Sequence, residues 1–330
     1  MTESCTHRLE GLEPDNLLAF LALLGLLRAL EAVDRQSDAD SKLAPRASWT
    51  TDQPPLRPVL YLAHAVSREF VTEAACNGMD LLMGSMDFDG RRDLNHSREE
   101  CRHLLMKASH GAASGETGRV DMLAALMSDG AVKDDKSDVI IPTPLCLLFG
   151  QGHQHFLERL ARVPAEPAPP PRGRGKTAVQ LSAADCLGEA LFHSWHRSDP
   201  TSAFRWDPEE AVRYAMMAGD PTDSAYKPGT QHGANRLAAI GLAALTIVPA
   251  TRAGAVRPSV LGGRSAGNGF SFAWPIWRDP ASLASIRALL SHPDLRAPER
   301  LAHLGVDSTM EARRIPVGKF RNFSRALPIA

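Results

Sequence analysis

The sequence predicts a mainly α fold with a small β component (α+β), built from two helical, bundle-like halves and a short antiparallel hairpin or sheet near the C-terminus. Along most of the chain, apolar residues recur every three or four positions, as the buried side of a helix requires. Residues 256–274 instead show two apolar runs around a glycine-rich stretch, which is typical of paired strands. A proline-rich linker or exposed loop over 164–176 separates a helical N-terminal domain, 1–163, from an α+β C-terminal domain with a basic tail, 177–330.

The first helix is predicted to begin near Asp15 or Asn16, because either side chain can accept hydrogen bonds from the first helical turn. Leucines occupy nearly every side of this helix as far as Val33, so we expect it to lie in the core. A polar, proline-containing loop over 36–58 follows, with a short strand near Trp49. Further helical patterns cover residues 59–77, 97–110, 119–128 and 143–162.

The C-terminal half is predicted to open with a helix over 177–193. Asp207 as N-cap, followed by Pro208 at the first helical position, predicts a helix over 208–217. In a further helix over 231–246, Gly241 leaves room for another element to approach closely. The remaining predictions are strands over 256–261 and 270–274, a helix from Asp279 to about 291, and a strand or extended arm over 313–330.

Charge is a regional feature of this chain. The whole sequence has a formal net charge of −1, which indicates no particular partner. Residues 251–330, however, contain twelve Lys and Arg against five Asp and Glu, a balance of +7. The first 250 residues therefore carry 25 against 33, a balance of −8. The sign of the charge therefore differs between the two parts of the chain.

The cysteine pattern and the absence of targeting signals indicate a reducing compartment. The five cysteines are odd in number and form no CxxC pair, which argues against a disulfide framework or a cysteine-rich zinc site. The N-terminus lacks a signal-peptide pattern, and the most apolar run, Leu17 to Leu30, is shorter than the roughly 20 residues that span a bilayer. We therefore expect a cytoplasmic protein that makes no membrane contact.

The sequence contains no strong catalytic motif. The string GRGKT over 173–177 resembles the end of a phosphate-binding loop, but the first glycine of such a loop would fall at Pro170 and no strand precedes it. No G-x-S-x-G nucleophile motif is present. We therefore predict no catalytic residue and no cofactor.

Two clusters contain side chains that bind metals elsewhere: Asp87, Asp89 and Asp93, and His96, His103 and His110. On a helix the histidines would be about 10 Å apart, too far to share one metal ion. The aspartates lack the spacing and the glutamate of an EF-hand. A solvated polar surface is the favoured interpretation of both clusters, and a metal-dependent hydrolase is the less favoured alternative.

The C-terminal tail is the best candidate for a nucleic-acid contact. Residues 313–325 contain five basic residues, no acidic residue and two phenylalanines. Basic side chains neutralise phosphates, and aromatic faces stack on exposed bases. The candidate contacts are Arg313, Arg314, Lys319, Phe320, Arg321, Asn322 and Arg325. The alternative is a basic edge strand whose phenylalanines lie in the core.

Two further groups of residues are ambiguous. Arg205, Asn235 and Arg236 lie near a predicted helix start, where free N–H groups attract anions, but they could equally satisfy local carbonyl groups. Trp274 and Trp277 lie beside prolines. Such tryptophans either fill a core, which the pattern favours, or anchor an interface.

Several segments together resemble a family found with type I-G (formerly I-U) CRISPR systems. This family is related to the large-subunit-like proteins of those systems and to the extension domain sometimes attached to the helicase-nuclease. The resemblance rests on residues 9–31 (LEGLEPDNLLAFLALLGLLRALE), 204–217 (FRWDPEEAVRYAMM), 229–245 (GTQHGANRLAAIGLAAL), 270–277 (FSFAWPIW) and 313–323 (RRIPVGKFRNF).

The resemblance implies a non-catalytic role in DNA interference. The chain would contact target DNA or couple the crRNA-guided complex to the helicase-nuclease, with the other effector subunits as partners. In such complexes, guide pairing reads the sequence while protein subunits hold strands through basic surfaces. The resemblance supplies no residue roles. A protein-only adaptor in the same machine is the alternative.

Overall fold

The computed structural model describes residues 3–133, 136, 138–148, 155–173, 178–210, 229–252, 254–266, 269–317 and 320–329. Eight α-helices have both ends within these residues: α1 Leu17–Gln36, α2 Arg68–Leu82, α3 Arg98–Ala113, α4 Thr117–Leu126, α5 Phe156–Ala165, α6 Ala183–Phe192, α7 His232–Gly241 and α8 Leu283–Ser291. The strands are β1 Ser4–Arg8, β2 Arg46–Trp49, β3 Pro58–Val66, β4 Ile247–Arg252, β5 Ala255–Val260, β6 Gly263–Ala266, β7 Gly269–Trp277, β8 Val306–Val317, β9 Phe320–Phe323 and β10 Leu327–Pro328.

The strand content corrects the predicted fold class. The structure is α+β with 42% helix and 23% strand, and the strands that it describes form three sheets, so the expectation of a mainly α fold with a small β component was wrong. Part of the error lies in residues 59–77, which were expected to form one helix. They contain most of β3 and the first part of α2, with Ser67 between them accepting a hydrogen bond from the backbone N–H of Phe70. A strand and a helix that follow each other directly give one long apolar stretch.

All the sheets are antiparallel. Strand β3 lies between β1 and β2 in a three-stranded sheet. A second sheet has the order β10, β8, β7, β6, with β9 also paired to β8. Strands β4 and β5 form a separate two-stranded sheet. The glycine-rich stretch that was expected to be a loop therefore contains a strand of its own, β6, which pairs with β7.

Helix α1 lies at the centre of the core, as its leucine content predicts. All but a few of its residues are buried, and the Asn16 side chain accepts hydrogen bonds from the N–H groups of Leu18 and Ala19, which confirms the predicted start. Helices α2 and α7 pack along it, and α7 crosses it through Gly241, confirming the expected close approach at that glycine.

Several other helix predictions are confirmed, with shifted ends. Helices α3 and α4 match the patterns over 97–110 and 119–128, whereas residues 143–148 are irregular. Ser282, rather than Asp279, accepts the first-turn hydrogen bond of α8. Of the helix expected over 208–217, residues 208–210 are helical and 211–217 lie outside the described residues.

One cluster of buried apolar side chains draws on both halves of the chain, from Leu9 in the N-terminal half to Phe323 near the C-terminus. The division into domains 1–163 and 177–330 stays a prediction. Among the helices that the structure describes, none combines the length and the apolar content needed to cross a membrane.

Candidate nucleic-acid interface

Strand β8 divides the two adjacent arginines of the basic tail between its faces, because successive side chains of a strand point in opposite directions. Arg313 is exposed. The guanidinium carbon of Arg314 instead lies 5.5 Å from the centre of the Phe270 ring, and its Nη1 donates to the Pro144 carbonyl at 3.2 Å. Burial, followed by the charge of Arg321, lowers the pKa of Arg314. Arg313 is therefore the more accessible of the pair.

Strand β9 has both exposed and buried members of the predicted set. Arg321 is exposed, whereas Asn322 and Phe323 are 1% and 0% exposed. The Phe323 ring packs edge-on against Phe270, with ring centres 6.1 Å apart. For this phenylalanine the structure matches the alternative of a basic strand with its aromatic side chain in the core. Lys319 and the side chain of Phe320 lie outside the described residues.

Arg325 is held by acidic side chains of the same chain. It pairs with Asp15 at 2.8 Å, Glu13 at 3.4 Å and Glu209 at 2.7 Å. Burial works against its charged form, but hydrogen bonds to Asp15 and Glu209 prevail and raise the pKa of Arg325. In this geometry the residue ties the C-terminal tail to the start of α1.

A row of exposed arginines crosses the second sheet. Arg264 of β6 stands opposite Ser271 of β7, which in turn stands opposite Arg313 of β8. Directly opposed residues project from the same face, so Arg264 and Arg313 lie about 10 Å apart on one side of the sheet. Glu311, on the same face, pairs with Arg296 at 2.8 Å, and Arg264 lies further from it at 3.7 Å. We call Arg264 and Arg313 the arginine row.

Two of the ambiguous residues, Asn235 and Arg236 of α7, do not reach the surface and are 1% and 2% exposed. Arg236 donates to the carbonyl groups of Pro164 and Pro167, and Asn235 donates to the Thr230 hydroxyl. These bonds correspond to the alternative in which both side chains satisfy local acceptors.

The expected anion position at the start of α7 is filled from within the chain. The buried carboxylate of Asp199 accepts from the N–H of His232 at 3.1 Å and pairs with Arg172 at 2.8 Å. The start of α7, which favours a negative charge, is therefore bound by the Asp199 carboxylate of the same chain.

Arg205 lies in a tight turn. Its φ of 66° is left-handed, and its neighbours Phe204 and Trp206 are fully buried, with their rings stacked at 4.5 Å. Arg205 itself is half-buried. It stands near Arg159 of α5. Burial and then the charge of Arg205 lower the pKa of Arg159 to about 10.

Trp274 and Trp277 fill the core. They are 0% and 1% exposed, and their indole N–H groups donate to the carbonyls of Pro14 and Ala47. The Trp274 ring also stacks on Phe20 of α1 at 5.3 Å. These contacts leave neither ring on the surface of the chain.

The side chains of the two clusters of possible metal ligands are engaged in other contacts or lie apart. Asp87 and Asp89 pair with Arg119, and Asp93 contacts His155 at 2.7 Å. His96 is buried, whereas His103 and His110 are exposed on α3. Across the described ranges, no group of three or more His, Cys, Asp or Glu side chains is placed to hold a metal ion. Residues 174–177 of the GRGKT string lie outside them.

Sequence reasoning missed Arg264, because it lies in a stretch that was expected to be a loop. No local signal would have found it, because the strand Gly263–Ala266 has only four residues and contains no large apolar side chain to alternate with polar ones.

No protein-family model matches the sequence. No curated protein matches it either.

Proposed function

We propose that this chain is a non-catalytic, cytoplasmic subunit of a type I-G CRISPR interference complex and that it contacts target DNA through the arginine row. The observation that carries the DNA contact is the position of Arg264 and Arg313 on one exposed sheet face. Its partners are the other effector subunits, the crRNA-guided complex and the helicase-nuclease.

The distribution of the resembling segments supports this proposal. Three of them, 9–31, 229–245 and 270–277, contain most of α1, α7 and β7, which are largely buried and hold the core together. A fourth, 313–323, belongs to β8 and β9 and includes the exposed Arg313 and Arg321. The resemblance thus covers both the scaffold and the basic edge that the scaffold presents.

The electrostatics of the row suit a phosphate backbone. A guanidinium forms paired hydrogen bonds with phosphate oxygens. Two arginines whose Cα atoms lie about 10 Å apart can reach phosphates of one strand without reading its bases. Such a contact is independent of sequence, which fits a complex whose specificity comes from guide pairing.

A salt series with short single- and double-stranded DNA tests the proposal. The double variant Arg264→Glu/Arg313→Glu should weaken binding by tenfold or more and lower the salt slope by about two, one for each lost phosphate contact. Arg46→Glu is the control for each single change, because Arg46 is also exposed but lies on β2 of the three-stranded sheet.

Unchanged binding by the double variant would overturn the assignment of the DNA contact to this row. If that variant also assembled normally with its partner subunits, the protein-only adaptor would become the better proposal. Charge-reversed variants of Arg313, Arg314, Lys319 and Arg321 would extend the same comparison along the tail.

A further inference from the structure

A polar pocket of about 470 Å³, open to solvent, lies beside the C-terminal end of α5. Prolines from the segment after α5 form part of its wall. Its polar lining comes from Arg162, Glu166, Gln180, Thr201 and Ser202. It is separate from the arginine row, and no function discussed above uses it.

Two arginines one turn apart on α5 reach the segment that borders this pocket. Arg162 is exposed, donates to the Ser202 hydroxyl and pairs with Glu166 at 3.3 Å. Arg159 donates to the backbone carbonyl of Ala203, the residue after Ser202. Because residues three apart on a helix are neighbours, the two guanidinium groups project to the same side of α5.

Positive charge is concentrated at this side of α5. Burial, then the charges of Arg205 and Arg162, lower the pKa of Arg159 to about 10, so the three guanidinium groups lie close enough to repel one another. Glu166 pairs with Arg162, and Glu158, which also acts on Arg159, pairs with Arg92. Glu210 also faces Arg159 and Arg205, but burial and then Asp207 raise the pKa of its carboxyl to about 8, which leaves it mostly neutral at pH 7.

The pocket also contains a hydroxyl group, that of Ser202, which accepts a hydrogen bond from Arg162. A serine hydroxyl that accepts one hydrogen bond can still donate its own hydrogen to an oxygen atom of a ligand. The Thr201 Oγ1 atom, in contrast, is buried below the pocket surface.

We propose that this pocket binds a phosphate group, with Arg162 and Ser202 in contact with its oxygens and Arg159 and Arg205 contributing positive potential. A guanidinium group beside a hydroxyl group offers several donors to one tetrahedral anion. The phosphate belongs either to a nucleic-acid backbone or to a small phosphate compound. The inference does not depend on the CRISPR assignment, because inorganic phosphate would bind in either case.

The test is titration of the full chain with inorganic phosphate at constant ionic strength, followed by calorimetry and by the melting temperature. Phosphate should bind the wild-type protein at one site and raise its melting temperature relative to chloride. Arg162→Gln should weaken binding by tenfold or more, and Ser202→Ala should weaken it less. Arg102→Gln is the matched control, since Arg102 is also an exposed helix arginine paired with one carboxylate, Asp129 at 2.9 Å.

Two results would overturn the proposal: no phosphate-specific binding by the wild-type protein, or equal binding by wild type and Arg162→Gln. A competition with short single-stranded DNA then identifies the source. Displacement of the DNA by phosphate, lost in Arg162→Gln, supports a nucleic-acid phosphate, whereas phosphate binding without displacement supports a small compound. The Arg264→Glu/Arg313→Glu variant should still bind phosphate, so failure of the pocket and failure of the arginine row are distinguishable.

Discussion

Gly25 of α1 and Gly241 of α7 meet where the two helices cross, with backbone against backbone. A Cβ atom on Gly25 would lie 1.8 Å from the carbonyl oxygen of Leu237, and one on Gly241 would lie 2.1 Å from that of Leu21. Both distances are far below van der Waals contact, and backbone atoms cannot move aside as the end of a side chain can. The crossing therefore requires glycine on both helices.

The first prediction concerns this crossing. Gly241→Ala should destabilise the protein by about 3 kcal/mol, at the upper end of the usual cost of overpacking a core, because the added methyl group forces α1 and α7 apart. The measurement is urea unfolding followed by circular dichroism. Gly84→Ala is the control: a Cβ there meets nothing within 4 Å, so stability should stay the same or rise slightly. Equal stability of Gly241→Ala and wild type would mean that the helices do not touch here.

The second prediction concerns the attachment of the C-terminal tail. Arg325→Gln removes three ion pairs with Glu13, Asp15 and Glu209. Because the Arg325 side chain is 43% exposed, we expect a loss of only about 1 kcal/mol, which shrinks as salt is added. Limited proteolysis should cut the tail faster in the variant.

Arg300→Gln provides the comparison for this effect. Arg300 has one pair, with Asp294 at 3.1 Å, and its side chain is 68% exposed. Its loss should leave both stability and proteolysis unchanged. Equal behaviour of the two variants would show that the pairs of Arg325 do not hold the tail.

The third prediction is a loss of stability in weak acid. Burial lowers the pKa of His232 below its ordinary 6.5, and its Nε2 lies 2.8 Å from the Glu166 carbonyl oxygen, which suits a neutral ring that donates. A lowered folded-state pKa means that the contribution of His232 is complete above pH 6.5 and is lost as the pH falls below it.

Unfolding free energies at pH 7, 6 and 5 test this direction. His232→Gln keeps a donor for the Glu166 carbonyl but cannot ionise, so its stability should fall less between pH 7 and pH 5 than that of wild type. His103→Gln, at an exposed position on α3, should follow the wild-type curve. A His232→Gln curve parallel to the wild-type curve would contradict the prediction.

Local signals made part of the fold predictable. The Asn16 cap and the small Gly241 are each visible within a few residues of sequence, and both predictions are confirmed. Strand β1 was missed because only one of its five residues, His7, is buried, so it shows no apolar alternation. Strand β3 was missed because α2 follows it almost immediately.

The candidate site was harder to predict, because its chemistry depends on distant partners. Composition indicated a basic tail, but Arg325 pairs with Asp15, which lies 310 positions earlier in the chain. The arginine row likewise exists only through the pairing of β6, β7 and β8, which brings Arg264 beside Arg313. Local sequence shows which residues are basic but not which of them the fold leaves exposed together.

The last prediction is a loss of stability as the pH rises above neutral. Burial, and then Asp207, raise the pKa of Glu210 to about 8, and its Oε1 accepts from the Thr230 hydroxyl at 3.1 Å. A raised folded-state pKa means that the contribution of Glu210 is complete below about pH 4.5 and is lost as the pH rises through 8. Wild-type stability should therefore fall between pH 6 and pH 9.

Glu210→Gln keeps an acceptor for Thr230 but cannot ionise, so it removes this loss. At pH 9 the variant should be more stable than wild type by an amount on the order of 2 kcal/mol, while near pH 5 the two should be alike. Urea unfolding at both pH values measures the difference, with Glu73→Gln, at an exposed position on α2, as the control that should follow wild type. Equal stability of Glu210→Gln and wild type at pH 9 would show that the carboxylate is accommodated in the fold, with Arg159 and Arg205 as the nearby positive charges that stabilise it.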